Sequence, residues 1–312
     1  MSTSPLSPGP NTQLWRPKRG ISIWSERVVK YIFASFAFVS VMTTLGIVLT
    51  LAYETEEFFK EVPIWRFLTE TEWTPLFQNP KFGIFVLITA TAMTSVIALL
   101  VALPIGLLSA VCLSEYASPK ARRWLKPALE VLAGVPTVVY GYFALLTVTP
   151  LLQSLIPNVQ IFNALSAGLV MGFAIVPVVA SLSEDAIYAV PQSLRQGAYS
   201  LGTTKRETVV GVVLPAALSG IVASFVLGVS RAVGETMIVA IAAGQNPILT
   251  FDPRVAVATM TAFIVQVSLG DTPTTSLAYK TLFAVGMTLF LITLVLNIFS
   301  FWFVRRFQEK YD

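Results

Sequence analysis

The chain has no histidine, a single cysteine and little charge, and each shortage closes off a class of protein. Without imidazole there are no histidine metal sites and no histidine acid–base chemistry. Cys112 alone cannot form an internal disulfide, and it carries no redox information. Charged residues make up 12% of the 312, against roughly a quarter in soluble domains. What fills the chain instead is apolar: 55% of residues are hydrophobic and mean hydropathy is +0.73. A soluble fold of this length would need more polar side chains to cover its surface.

The apolar residues come in runs. No charged side chain occurs from Tyr31 to Tyr53, Phe82 to Ser114, Val131 to Ser183, or Thr281 to Val304. A helix crosses the hydrocarbon core with about 20 apolar residues. The third run is long enough for two crossings, divided at Pro150, Pro157 and Asn158, and a further segment from Ala216 to Ala243 is interrupted only by Arg231 and Glu235. The expectation is an all-α integral membrane protein with six transmembrane helices. The runs are continuous rather than alternating, which argues against a barrel.

Six spans place both termini on one side. Basic residues divide fifteen against five. The larger set holds Arg16, Lys18, Arg19, Arg27 and Lys30, then Lys120, Arg122, Arg123 and Lys126, then Arg195, Lys205 and Arg206, and finally Arg305, Arg306 and Lys310. The smaller set is Lys60, Arg66, Lys81, Arg254 and Lys280. The positive-inside rule then puts both termini and the 184–215 loop in the cytoplasm of a bacterial inner membrane. Residues 1–27 read as a flexible cytoplasmic tail, 28–306 as the six-helix domain and 307–312 as a C-terminal tail. The first run is too long for a signal peptide and lacks a small-residue cleavage site, so it reads as a retained helix. In the acidic loop from Glu54 to Lys81, Trp65, Phe67, Trp73 and Phe77 read as anchors at the headgroup level.

The loop from Glu184 to Pro215 predicts a short helix over Ser193–Leu201 that follows Pro191 and ends at Gly202, then a second from Thr204 to Leu214-Pro215. Gly197-x-x-x-x-Gly202-Thr-Thr imitates a phosphate-binding loop, but Thr203 stands where the lysine belongs and no strand precedes it. Energy must therefore come from another polypeptide or from an ion gradient, and neither a cofactor nor a metal is expected. Inside the fifth span, Arg231 costs roughly 3 kcal/mol to insert. On a continuous helix Glu235 follows it on the same face, in the order less favourable to the helix dipole. Two readings of the pair stay open: Arg231 meets an anion in a water-filled pathway with Glu235 holding its side chain, or the two fix helix packing as a buried ion pair. Gly228 and Gly234 beside them suit a close helix approach or a passage. Pro104, Pro136 and Pro177 are expected to kink their spans, with Pro136 bending the third around a pathway.

Gln196, Gly197, Ala198, Gly202, Val212, Leu214 and Pro215 keep the spacing of the EAA coupling loop of ABC importer permeases, with glutamine and glycine replacing the Glu-Ala of that motif. Arg231-Ala-Val-Gly-Glu-Thr-Met237 resembles the matching segment of phosphate-specific permeases of the PstC type, as does Pro136-Thr137-Val-Val-Tyr-Gly141. The sister PstA type tends to follow Gly-Glu-Thr with Ala-Pro, so Met237 favours PstC. The resemblance covers roughly residues 28–306. It implies the type I ABC importer permease fold, with a cytoplasmic coupling helix–turn–helix seated in a groove of a separate ATPase. It further implies a substrate pathway involving Arg231, Glu235 and Thr137, with phosphate as cargo. The expected partners are a second permease of PstA type, two ATPases of PstB type and an external binding protein of PstS type. Another oxyanion such as sulfate or molybdate remains an alternative, and an ion-coupled secondary transporter a more distant one, since Glu235 is the lone deep carboxylate. No nucleophile–base pair in the spans suggests an enzyme.

Overall fold

A computed structural model describes residues 19–307, with side-chain surroundings from 24 to 302. Most of the expected N-terminal tail and residues 308–312 lie outside the described residues, as do the side chains of Arg16, Lys18, Arg19, Arg305, Arg306 and Lys310.

Among the described residues the architecture is helical, and the one β contact is an isolated antiparallel bridge between Trp73 and Phe82. Helix α1 (Arg19–Glu61) starts inside the segment read as tail and runs well past the apolar stretch. Up to Tyr53 it belongs to a unit of its own. From Trp24 to Thr50 every side chain except Val48 is exposed, as suits a helix in lipid.

The second unit begins at Glu54. It contains α2 (Ile64–Thr69), α3 (Phe85–Val111), α4 (Pro119–Ala133), α5 (Thr137–Phe143) and α6 (Thr149–Leu155). Then come α7 (Ala164–Tyr188), α8 (Gln192–Ser200), α9 (Lys205–Thr208), α10 (Leu214–Ala216) and α11 (Leu218–Gly234). Three more follow: α12 (Met237–Ala242), α13 (Met260–Leu269) and α14 (Leu277–Phe307). Five helical stretches are long and apolar enough to cross a membrane, and a sixth arises if Lys205–Ala216 and Leu218–Gly234, bent by 70°, count as one span. The divided third run appears as Thr137–Leu155 and Ala164–Tyr188.

Helices α3 and α7 form the centre and run parallel. A Cβ on Gly172 would lie 2.7 Å from the Ala98 carbonyl oxygen, and one on Gly106 2.7 Å from Val179. Only glycine lets these backbones approach so closely, which is how membrane helices gain packing without a hydrophobic drive. Buried alanines, among them Ala98, Ala102, Ala167 and Ala174, continue the seam.

Two expectations change here. Pro136 does not kink a span; it caps α5 after a break from α4. Pro104 and Pro177 sit inside α3 and α7. The aromatics of the 54–81 loop divide: Trp65 and Phe77 are exposed, whereas Phe67 and Trp73 are buried. The Trp73 ring packs edge-on to Phe263 at 5.1 Å and to Phe67 at 6.1 Å. These rings cap the Phe85 end of the bundle from within rather than anchoring it in headgroups.

Candidate functional site

The fifth span is not continuous. Helix α11 ends at Gly234, Glu235 takes an extended conformation, and α12 starts at Met237. Glu235 therefore does not stack one turn below Arg231. Its Oε1 accepts hydrogen bonds from the Met237 and Ile238 amides at 3.1 and 3.3 Å, satisfying donors that α12 leaves open. The Glu235 carbonyl accepts from the Thr261 hydroxyl of α13 at 2.7 Å. The expected tether from Glu235 to Arg231 is thus replaced by a cap on the next helix.

Arg231 lies half-buried in the last turn of α11, where its charge favours the negative end of the helix dipole. Among the described residues its guanidinium makes no hydrogen bond or ion pair with Glu235, Thr137 or any other group. The buried-ion-pair reading loses its basis, since no pair forms. Gly228 fulfils the close-approach expectation, with its Cβ position 3.1 Å from Val179, while Gly234 faces open space. Thr137 opens α5, which packs on α12 through Gly141; a Cβ there would sit 3.2 Å from the Met237 carbonyl oxygen.

The segment after α12 holds the break in place. Gly244 adopts φ +91, and the chain then runs without helix to Thr259. Irregular backbone packed against helices needs hydrogen-bond partners. The amides of Gln160 and Leu165 donate to the carbonyls of Arg254 and Pro253, and Val257 donates to Ala243. In the same loop, hydrogen bonds from the Arg254 guanidinium and backbone hold the Asp252 carboxyl down at about 2.

The second cluster surrounds the 192–215 loop. Helix α8 exposes Gln196 and Gly197 and buries Ala198. Gly202 takes φ +80, the left-handed turn that ends the helix without a Cβ penalty. Thr204 and Glu207 then form a reciprocal capping box that starts α9. A π turn over Val209–Val213 leads to α10, where Leu214 and Pro215 make the corner into α11. The turn leaves Leu201 85% and Val210 60% exposed to solvent.

Ionic ties fasten this turn to the spans. Arg195, 6% exposed, donates to Glu115 at 2.8 Å, to the Ile187 carbonyl at 2.9 Å and to the Val190 carbonyl. Glu184, 1% exposed, accepts from Arg122 and, at 2.7 Å, from Lys126, which also reaches Asp185. Asp185 and Glu184 raise the Lys126 ammonium above its ordinary value. Arg122 stacks 4.0 Å from the Tyr188 ring centre. These partners escaped the sequence reading, which weighed the basic residues only by their side of the membrane. Their signal was Glu184 and Asp185 standing at the end of an apolar run, where a carboxylate needs a cation.

A bundle of this kind, with a broken span and a braced turn between two spans, defines a helical membrane permease. The chain belongs to the binding-protein-dependent transport system inner membrane component family, whose model matches residues 102–312. It is 31% identical over 308 residues to the phosphate transport system permease protein PstC of Haemophilus influenzae, covering 92% of this chain and 95% of that one. It is 34% identical over 278 residues to PstC 1 of Mycobacterium tuberculosis, covering 77% and 82%. The probable ABC transporter permease protein YqgH of Bacillus subtilis is 31% identical over 228 residues, with 73% and 74% covered. Among solved structures, a bacterial ABC transporter involved in alginate import aligns with a TM-score of 0.64 at 14% identity, covering 92% of this chain and all of that one. The chain is thus a multi-pass inner-membrane permease subunit of an ABC importer.

Proposed function

We propose that this permease carries phosphate, and that Arg231 is the group that meets it along the pathway. The observation behind this reading is a half-buried guanidinium, inside an apolar span, that no group among the described residues neutralises. Such a charge at membrane depth is costly unless water or an anion reaches it. Guanidinium suits a tetrahedral oxyanion through two parallel hydrogen bonds. A single arginine does not balance a doubly charged anion, so a second permease of PstA type would supply further donors. Weak binding then favours release. The PstC relatives support phosphate over another oxyanion. Glu235 acts by fixing the α11–α12 break, and Thr137 offers a hydroxyl at the start of α5.

The 192–215 turn couples this pathway to a separate pair of ATPases of PstB type, with Gln196, Gly197, Ala198, Gly202, Leu214 and Pro215 forming the docking element. Its ties to α7 and to the Cys112–Tyr116 turn let it move as one body with the spans. The basic-residue bias supports cytoplasmic termini and a cytoplasmic turn, leaving the opposite face to a PstS-type binding protein.

Arg231→Gln in the reconstituted complex is expected to abolish uptake of radiolabelled phosphate while ATPase binding persists. Normal uptake by this variant would overturn the role of Arg231. Competition by sulfate or molybdate as strong as that by phosphate would move the cargo to another oxyanion.

A further inference from the structure

Helix α4 has two unlike faces, and each lines its own cavity. One cavity of about 690 Å³ is bordered by Arg122, Arg123, Lys126, Glu130, Tyr188 and Ser114. The other, about 520 Å³, is an apolar groove against the end of α3, lined by Ile105, Leu108, Leu125, Leu129 and Leu132. Leu113 borders both, so the polar pocket and the apolar groove adjoin. We propose that this junction is a binding site for an anionic phospholipid, with the headgroup phosphate in the basic pocket and an acyl chain in the groove.

Charge accounting supports that occupant. Arg122 and Lys126 are committed to Glu184 and Asp185. Arg123, and Lys120 one turn earlier, are exposed and make no hydrogen bond or ion pair among the described residues. Arg123 lines the pocket and Lys120 stands one turn away on the same helix, while the one carboxylate in the pocket lining is Glu130. The Ser114 hydroxyl lies buried on the pocket wall with no hydrogen-bond partner. Trp124 between the two faces is 80% exposed, an amphipathic ring of the kind enriched at membrane–water interfaces. A basic stripe flanked by an apolar face is the pattern of a helix lying in the interface of an anionic leaflet. Because α4 grips Glu184 at the root of the coupling turn, a lipid seated there would bear on the same brace.

The test uses the full-length chain purified in mild detergent with its co-purifying subunits. Native mass spectrometry would compare dioleoylphosphatidylglycerol with dioleoylphosphatidylcholine. Phosphatidylglycerol is expected to be retained selectively. Each basic residue near an anionic headgroup contributes roughly five-fold, so K120A/R123A should weaken its retention on the order of 25-fold. Phosphatidylcholine retention and the unfolding curve should stay unchanged, which separates a lost site from a lost fold. Equal retention of both lipids, no effect of the double variant, or displacement by excess inorganic phosphate would overturn the proposal. So would a Leu129→Cys crosslink that captures a neighbouring subunit in place of lipid.

Discussion

The two ends of the α3–α7 pair differ in the polar character of their most buried large side chains. At the Phe85 end, Phe58, Phe67, Trp73, Phe82 and Phe263 interlock edge to face, all nearly inaccessible. At the Val111 end, Arg195 with Glu115 and Glu184 with Arg122 and Lys126 form ion pairs between elements far apart in sequence. Burying rings gives area without direction, so it fixes a cap that need not report on anything. Buried ion pairs add little net stability because desolvation offsets attraction, but their geometry is directional. They suit the end that is proposed to pass motion from a docked partner into the spans.

Mutating both ends would expose this difference. Trp73→Ala leaves a hole among four rings and should cost roughly 4 kcal/mol, close to the upper range for aromatic deletions. Thermal unfolding of the purified complex checks the loss, and phosphate uptake per ATP hydrolysed should hold in the folded fraction. Arg195→Ala strands Glu115 and two carbonyls, and should cost roughly 3 kcal/mol. Here uptake per ATP should fall as well, because α8 loses its tie to α7. If Trp73→Ala uncouples transport and Arg195→Ala does not, the division of labour between the ends is reversed.

Much of the fold was legible in the sequence because lipid imposes it: apolar runs of spanning length are visible without any partner. The turn at Gly202 and the corner at Pro215 were legible for a related reason, since their conformations rest on the residues themselves. The break at Glu235 was not. Apolar periodicity continues through Ile238 and Ala242, no proline marks the interruption, and the hydroxyl that bonds the Glu235 carbonyl comes from Thr261 of α13. Thr261 and the anchoring role of Arg195 depend on contacts across long separations, which composition does not encode. Trp73 was misjudged for the same reason, because an aromatic near a span end looks alike whether it faces headgroups or Phe263.

Between the two ends lies a smaller effect. Glu235→Ala removes the cap from α12, and a cap of this kind is worth about 1 kcal/mol. Uptake should drop by more than stability does, since α12 carries the packing partner of α5 beside Arg231. Glu235→Gln keeps an acceptor oxygen and should restore most of the uptake. Failure of that rescue would return the carboxylate charge, rather than the cap, to the centre of the site.

The smallest expected effect belongs to the exposed ion pair in the 243–259 loop, and it tests whether charge matters at the ring-capped end at all. Asp252 and Arg254 are two residues apart and retain 35% and 40% exposure, unlike the 8% of Glu115 and Arg195. Asp252 falls from 3.8 to about 2 through its bonds to Arg254. A carboxyl with a lowered folded value stabilises above its unfolded value and loses that contribution as pH falls through the folded one. The stability difference between the wild type and Asp252→Asn should therefore stay flat from neutral pH down to about 3.8 and vanish towards about 2. Urea unfolding of both proteins across that window measures it, with added salt shrinking the difference at every pH. A difference as large as that of Arg195→Ala would mean that this loop, too, relies on directed charge, and that the rings do not hold that end alone.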